Sequence, residues 1–275
     1  MKEKIKRFLT ILFLSIFVIS IAYIIGYFYT SYSDKKDMEE LQNIMNFQEF
    51  KNLEPTQVIT ENKEENSENT LNENTDNKLV QIKNENLNLK EVKKVNEDIV
   101  AWVKIDGTKI NYPILQAKDN DYYLYRNYKK EYSRNGSIFL DYRYDFSKEN
   151  QVFLLYGHNN NDDMMFNELL RYENKEFYEN HKNIELITEN EISSYRIVSV
   201  FKSEVYNKEN TNVFKYYNYI DLSDEDVFNN YVQNIKNKSI YEINETINYG
   251  DEILVLSTCE YSKPNGRFVV VAKKQ

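Results

Sequence analysis

The chain has 275 residues, carries a formal net charge of −9 and contains a single cysteine. This length allows one folded domain plus appendages, and the acidic balance argues against nucleic acid as a partner. One cysteine cannot form an intramolecular disulfide, which excludes a small disulfide-stabilised scaffold.

The N-terminus predicts a membrane anchor. Residues 8–28 contain no charged side chain, and as a helix they would span roughly 31 Å, the thickness of a bilayer core. The first seven residues are basic and residues 34–40 are more acidic, so the positive-inside rule places the N-terminus in the cytoplasm. We therefore expect residues 1–30 to form a cytoplasmic basic tip and a single-pass signal anchor in the cell membrane, with the rest extracellular. A cleaved signal peptide is the alternative.

The next segment, residues 31–86, is predicted to be a juxtamembrane helix followed by a flexible linker. Apolar residues recur at roughly helical spacing over 38–53, which favours a short amphipathic helix. From 54 to about 86 the chain is rich in Asn, Glu, Lys, Ser and Thr. Such a composition buries too little surface to offset the entropy of ordering. The folded catalytic domain is expected over 87–275.

Short apolar runs separated by turn signals predict a mainly β domain with added helices. A helix is expected at 165–170, where Asp162–Asp163 could act as the cap, and a longer one at 223–238, with Ser223 as candidate N-cap. The pattern is typical of a barrel or sandwich. Eight strands are predicted, over residues 101–105, 110–115, 137–140, 151–156, 184–187, 194–201, 252–258 and 267–272.

Three residues at strand ends have side chains suited to chemistry. Cys259 ends one apolar run, Arg267 opens the next, and His158 follows the run that ends at Tyr156. A nearby cation favours the reactive thiolate, and histidine transfers protons near neutral pH. Spacing alone leaves open that Cys259 is a small core residue. The other histidine, His181, lies in a polar stretch and is predicted to be a solvated surface residue.

The residues around these positions resemble the sortases. The sequence Leu-Ser-Thr-Cys at 256–259, followed by the run 267–272, is similar to the cysteine–arginine signature of that family, and Tyr-Gly-His-Asn at 156–159 resembles its histidine motif. The resemblance covers roughly residues 88–275. Class B fits best within the family, because it has N-terminal helices before the barrel and a long helix before the cysteine strand. Further similarity runs through residues 112–116, 119–124 and 137–141.

The resemblance implies a closed β-barrel of about eight strands and a membrane-anchored cysteine transpeptidase of the Gram-positive cell surface. Such an enzyme cleaves a C-terminal sorting motif on secreted proteins through a thioacyl-enzyme, with cysteine-peptidase-like chemistry (EC 3.4.22-like), and transfers them to a peptidoglycan amine. Cys259 would be the nucleophile and His158 the proton carrier. Arg267 would hold the substrate and stabilise the carbonyl oxygen. The resemblance implies no metal and no cofactor.

The family pattern also points to residues that would bind the substrate. Leu124 and Tyr156 have a core role as their alternative, and Thr258 a preference for strand structure. Class B members tend to act on motifs that begin with an Asn-Pro-like or Ser-Pro-like pair, and residues 205–219 are the predicted reading loop. The implied set is Asn120, Leu124, Tyr156, Ser257, Thr258 and, through its backbone N–H as a second oxyanion donor, Glu260.

Two other classes of protein remain open at this point. One is a cell-wall cysteine peptidase or hydrolase, and the other is a non-enzymatic surface binding module whose cysteine is core packing. Papain-like wall peptidases usually place the cysteine before the histidine and at a helix N-terminus, whereas here His158 precedes Cys259 and both follow strand patterns. The L,D-transpeptidases have a Ser-His-Gly-Cys context that this sequence lacks.

Overall fold

The computed structural model describes residues 2–45, 89–160 and 163–275. Residues 46–53 of the predicted juxtamembrane helix, the linker over 54–86 and Asp162 lie outside the described residues. The described helices are α1 (Lys2–Met45), α2 (Lys175–Asn180) and α3 (Glu225–Lys238), with a helical turn over 89–93 and the 3₁₀ segments η1 (Tyr122–Tyr125), η2 (Asn167–Glu173) and η3 (Tyr216–Asn218).

In the described part of the chain, eight strands close into a mixed barrel. Their order around the barrel is β1-β2-β3-β4-β7-β8-β6-β5, and β5 pairs with β1 to complete the ring. The neighbours β2–β3 and β4–β7 are parallel and the others antiparallel. The predicted fold class, a mainly β barrel of about eight strands with added helices, is confirmed. The strands are β1 (Ile99–Lys104), β2 (Asn111–Leu115), β3 (Ile138–Leu140), β4 (Val152–Tyr156), β5 (Asn183–Ile187), β6 (Ile192–Glu204), β7 (Ile253–Cys259) and β8 (Gly266–Lys274).

Strand β7 is buried on both of its faces. Leu254 and Leu256 pack into the main hydrophobic cluster, whereas Val255 packs into a second cluster that also contains Phe228 and Tyr231 of α3. Successive side chains of a strand point to opposite faces, so a strand covered on both sides needs a continuous apolar run. Helix α3 therefore covers this part of the barrel from outside and fixes the strand that ends at the cysteine.

The two predicted helix starts are wrong in detail. Helix α3 begins after Asp224, whose side chain accepts a hydrogen bond from the Val227 amide at 2.9 Å, so Asp224 and not Ser223 is the N-cap. In place of the helix predicted at 165–170, the chain forms the 3₁₀ segment η2 from Asn167 to Glu173, which has no side-chain cap. Asp163 and Met165 each have φ of 55°, a left-handed conformation that interrupts an α-helix.

Helix α1 is one continuous helix through Met45 rather than an anchor followed by a separate helix from residue 38. It is long and apolar enough to cross a membrane, by length and composition. Its second part packs on the domain, because Met38, Leu41 and Met45 are buried in the main cluster. The polar spacer predicted between anchor and domain therefore follows a segment that already contacts the barrel.

Candidate active site

Two strand ends meet at one edge of the barrel. Strands β4 and β7 run parallel and Tyr156 pairs with Ser257, so the residues that follow both strands emerge on the same side. The Gly157 amide continues this pairing by donating to the Ser257 carbonyl at 3.2 Å. His158 and Cys259 each lie two residues beyond the Tyr156–Ser257 pair. The parallel pairing thus places both residues at the same edge of the barrel.

The chain just before His158 passes through a space that admits only glycine. A Cβ atom on Gly157 would lie 2.3 Å from Ile138 Cδ1 and 2.8 Å from Phe166 Cδ2, well inside van der Waals contact. The Gly157 carbonyl also accepts a hydrogen bond from Thr258 Oγ1 at 2.7 Å. This close approach joins the two segments immediately before the histidine and the cysteine.

Arg267 lies directly across the sheet from Cys259. The two residues form the last pair of the antiparallel β7–β8 ladder, and both are half-buried. The Cys259 thiol is free. Nη1 of Arg267 donates to the Gly266 carbonyl at 2.9 Å, and no ion pair engages this guanidinium within residues 2–45, 89–160 and 163–275. No carboxylate of the described residues therefore neutralises its charge.

The imidazole of His158 is held by a backbone carbonyl. Its Nε2 lies 2.7 Å from the Leu124 carbonyl oxygen, and its ring centroid lies 5.7 Å from that of Tyr125. Because a carbonyl oxygen only accepts hydrogen bonds, Nε2 carries the proton of the neutral ring and Nδ1 is the acceptor. Burial lowers the pKa of His158; the Leu124 carbonyl opposes this effect, and the positive charge of Arg267 adds to it.

Two neighbours of these residues make contacts that shape the cysteine loop. The Glu260 amide, predicted as a second oxyanion donor, donates to the Gly266 carbonyl at 3.0 Å and is therefore engaged in this structure. Asn159 donates from Nδ2 to the Cys259 carbonyl at 3.0 Å and accepts at Oδ1 from Asn167 at 2.8 Å. Asn159 was given no role at the sequence level, although its place next to the histidine was a usable signal.

Two of the predicted substrate-binding residues meet on a buried carboxylate. Asp141 is fully buried and accepts hydrogen bonds from the Tyr156 hydroxyl at 3.0 Å and from Asn120 Nδ2 at 3.1 Å. Arg143 holds both carboxylate oxygens, at 2.8 and 2.7 Å. Burial opposes ionisation of Asp141, but the hydrogen bonds and the charge of Arg143 outweigh it, and the pKa of Asp141 is lowered. Asp141 and Arg143 were not identified as site residues from the sequence.

The other predicted substrate-binding residues act through different groups. Leu124 packs against the main cluster with its side chain and reaches the site through its carbonyl. Ser257 and Thr258 are buried, and the Ser257 hydroxyl forms a hydrogen bond of 2.7 Å with that of Tyr216. The hydroxyls of Ser257 and Thr258 are therefore satisfied within the protein, and they hold the end of β7 in place.

His181 lies apart from this edge, and its predicted solvation is wrong. Its ring is half-buried and stacks on Phe177 with centroids 4.0 Å apart, while Nδ1 lies 2.8 Å from the Phe177 carbonyl oxygen. The polar neighbours in sequence concealed this local contact, because Phe177 is one helical turn earlier. Within the described ranges, no group of three His, Cys, Asp or Glu side chains is arranged to hold a metal ion.

Comparison with known families identifies the family of this chain. A family model described as the sortase domain matches residues 103–275, which include His158, Cys259 and Arg267. The chain belongs to the sortase family. It is 36% identical over 187 residues to sortase B of Listeria monocytogenes, an alignment that covers 67% of this chain and 73% of the relative.

Solved structures agree with this assignment. Sortase B from B. anthracis superposes with a TM-score of 0.66 at 34% identity, covering 90% of this chain and 98% of that one. A substrate complex of Staphylococcus aureus sortase B superposes with a TM-score of 0.68 at 27% identity, with the same coverage. This sortase is thus of class B, a cysteine transpeptidase of the cell wall.

Proposed function

We propose that Cys259, His158 and Arg267 carry out the transpeptidation. The observation that supports this assignment is the parallel β4–β7 pairing combined with the Cys259–Arg267 pair, which gathers a thiol, an imidazole and a guanidinium at one edge. A nucleophile, a proton carrier and a fixed cation are the groups that thiol-dependent acyl transfer needs. Cysteine peptidases cleave amides through the same thioacyl step, which is why the resemblance implied an EC 3.4.22-like activity.

The reaction takes place in two steps, acylation of Cys259 and transfer of the acyl group to an amine. The Cys259 thiol gives its proton to the neutral imidazole of His158, and the resulting thiolate attacks the scissile carbonyl. A thioester forms as the C–N bond breaks, and His158 passes that proton to the leaving amine. An incoming amine then attacks the thioester and loses a proton to His158, and the C–S bond breaks to regenerate the thiolate. Because Nε2–H faces the Leu124 carbonyl, we assign the proton transfers to Nδ1.

Arg267 stabilises the negative charge that develops on the carbonyl oxygen in both steps. Arg267 is the cross-strand partner of Cys259, and a guanidinium is a cationic donor suited to an oxyanion. The Glu260 amide would join only if its bond to the Gly266 carbonyl opened. We therefore assign charge stabilisation to Arg267, with the Glu260 amide as a conditional second donor.

The proposed substrates are secreted proteins that carry a C-terminal sorting motif, and the proposed acceptor is a peptidoglycan amine. The substrate complex of the S. aureus relative supports this class of substrate. Asn120 and Tyr156, joined through Asp141, would form one wall of the binding groove, next to Leu124. Residues 205–219 would read the motif. Ser257 and Thr258 would support the cysteine rather than contact the substrate with their hydroxyls.

We also propose that α1 anchors the enzyme in the cell membrane, with its N-terminus in the cytoplasm and the barrel outside. The charge-free run over 8–28 and the uninterrupted helix support this arrangement. A chain whose α1 is cleaved after export would instead be released from membranes, which fractionation of cells by centrifugation would reveal.

The decisive experiment incubates the full chain in detergent with a library of quenched sorting-motif peptides and an amine nucleophile. Amine-dependent ligation products support the transpeptidase, whereas cleavage without amine transfer would identify a peptidase. Cys259→Ala is expected to abolish both, and unchanged turnover in that variant would overturn the mechanism. A thiol-directed methanethiosulfonate reagent should label the native protein at Cys259; failure to label would favour a buried core cysteine and the binding-module alternative.

A further inference from the structure

The face of α1 that the barrel covers begins inside the apolar run. Every residue from 3 to 26 is exposed, so no side of this part of the helix is covered. From Tyr27 onward, covered positions recur every three or four residues, which is the spacing of one helix face. The folded domain therefore reaches down α1 to the last turn of the apolar run, which ends at Phe28. The positions in this series are Tyr27, Ser31, Asp34, Met38, Leu41 and Met45, and the partly covered Ser33, Asp37 and Gln42 flank it.

The segment 126–135 of the barrel domain makes the contacts closest to the apolar run. The Tyr128 hydroxyl donates to the Asp37 carbonyl at 2.9 Å, and Ser133 Oγ donates to the Asp34 carboxylate at 2.6 Å. Nearest the run, the guanidinium carbon of Arg134 lies 4.4 Å from the ring centroid of Tyr27. From Asp37 to Tyr27 these contacts follow α1 for about 15 Å.

Arg134 is placed where lipid headgroups would lie. If residues 8–28 span the membrane, Tyr27 lies at its outer boundary, where tyrosine rings concentrate. Arg134 is exposed, and among the described residues no ion pair engages its guanidinium. A guanidinium fixed over an aromatic ring still presents donors that match a phosphate group.

The same segment connects directly to the catalytic edge. Asn160, two residues after His158, donates from Nδ2 to the Arg134 carbonyl at 3.0 Å and to Asn135 Oδ1 at 3.1 Å. Its neighbour Asn159 bonds to the Cys259 carbonyl. Even with every intervening side chain fully extended, these contacts place Cys259 within roughly 30 Å of the Tyr27 ring.

We propose that segment 126–135 seats the barrel on the outer surface of the bilayer that holds α1, with Arg134 bound to lipid phosphate and the catalytic edge toward the headgroups. The proposal rests on the membrane anchoring proposed above and goes beyond it, because anchoring alone allows any height and orientation. Cys259 then works at the bilayer surface. The height of the barrel is then set by α1 itself, because α1 contacts the barrel through Met38, Leu41 and Met45.

The test uses the full chain in nanodiscs that contain a headgroup-linked energy acceptor. Cys259 is the only cysteine, so a thiol-reactive donor dye reports the height of the active site itself. We expect a donor-to-headgroup distance of roughly 30 Å or less, whereas the far end of a domain of this size would stand about 40 Å or more above the surface. Arg134→Glu should lower the energy transfer and Arg134→Lys should largely preserve it. Lys148→Glu is the matched charge reversal, on the exposed loop before β4 at the opposite end of that strand.

The outcomes separate this proposal from the proposed function. A distance of about 40 Å or more, or equal energy transfer in the Arg134→Glu and Lys148→Glu variants, would overturn the docking. A chain that does not insert into nanodiscs would overturn both anchoring and docking. Peptide ligation by the unlabelled chain in detergent is measured in parallel, and Arg134→Glu should leave it within about twofold of the wild type. Loss of ligation in the wild type with the expected distance would refute the transpeptidase and leave the docking standing.

Discussion

At the scale of single residues, His158 and Arg267 are electrostatically coupled. Burial lowers the pKa of His158, and the nearby positive charge of Arg267 lowers it further, against the effect of the Leu124 carbonyl. We expect Arg267→Gln to raise the pKa of His158, because the variant removes a like charge. NMR titration of labelled imidazoles measures this shift, and His181→Gln assigns the two signals. An unchanged pKa in the Arg267 variant would show that the charges do not interact.

The lowered pKa of His158 also makes stability depend on pH. In the unfolded chain an imidazole takes up its proton near the reference value of 6.5, whereas folded His158 does so only at lower pH. The unfolded state then binds more protons, so the contribution of neutral His158 is present above about pH 6.5 and is lost as pH falls below it. We expect His158→Gln to lose less unfolding free energy than the wild type on acidification. Urea unfolding measured above and well below pH 6.5 tests this, and equal losses in the two proteins would contradict it.

Asn159 is expected to position the cysteine rather than react. Asn159→Asp removes the donor to the Cys259 carbonyl, a partly buried hydrogen bond whose loss costs about 1–3 kcal/mol. We expect kcat to fall by roughly 10-fold or more while KM stays within about twofold, because the groove residues are untouched. Asn190→Asp, on the exposed turn before β6, is the control. Wild-type kcat in the Asn159 variant would remove the residue from this role.

At the scale of secondary structure, the sequence predicts individual strands from local patterns but does not predict which distant strands pair. The strands β7 and β8 could be predicted because each is an apolar run, and the six-residue connection between them made their antiparallel pairing an obvious expectation. The pairing of β4 with β7 joins segments about 100 residues apart in parallel, and no local period records it. Residue type and strand-end position grouped the histidine with the cysteine in the sequence, and the family resemblance strengthened that grouping, but neither predicted this pairing. The hydrogen bond from the Glu260 amide to the Gly266 carbonyl could not be predicted either, because it depends on the shape of the turn between β7 and β8.

The N-cap of α3 shows how a local rule can select the wrong neighbour. Both Ser223 and Asp224 are good N-cap residues, and only the carboxylate of Asp224 accepts from the Val227 amide. We expect Asp224→Ala to destabilise the full chain by about 1 kcal/mol, within 0.5–2 kcal/mol, or roughly 2–4 °C in Tm. Ser223→Ala should change Tm by less than about 1 °C. Thermal unfolding in detergent compares the two, and a larger effect at Ser223 would reverse the assignment.

At the scale of the whole molecule, α1 and the barrel share one hydrophobic core. Leu41 is 1% exposed and packs in the main cluster, and the neighbouring Gln42 donates to the Asn111 carbonyl at 2.7 Å. Asn111 in turn accepts a hydrogen bond from the indole of Trp102 at 2.6 Å. Since Trp102 is the only tryptophan, its fluorescence reports on the contact between helix and barrel.

We therefore expect substitutions on the covered face of α1 to destabilise the entire domain. Leu41→Ala should cost about 2–5 kcal/mol, as for a buried leucine, and lower Tm by roughly 5–15 °C. Ile44 lies on the exposed face of the same helix, so Ile44→Ala should shift Tm by no more than about 2 °C. Unfolding is followed by Trp102 fluorescence and by circular dichroism of the full chain. Coincident transitions would show one cooperative unit, because helix and barrel then lose structure together. A wild-type Tm in Leu41→Ala would mean that α1 only touches the barrel, and the catalytic edge would then have no fixed height above the membrane.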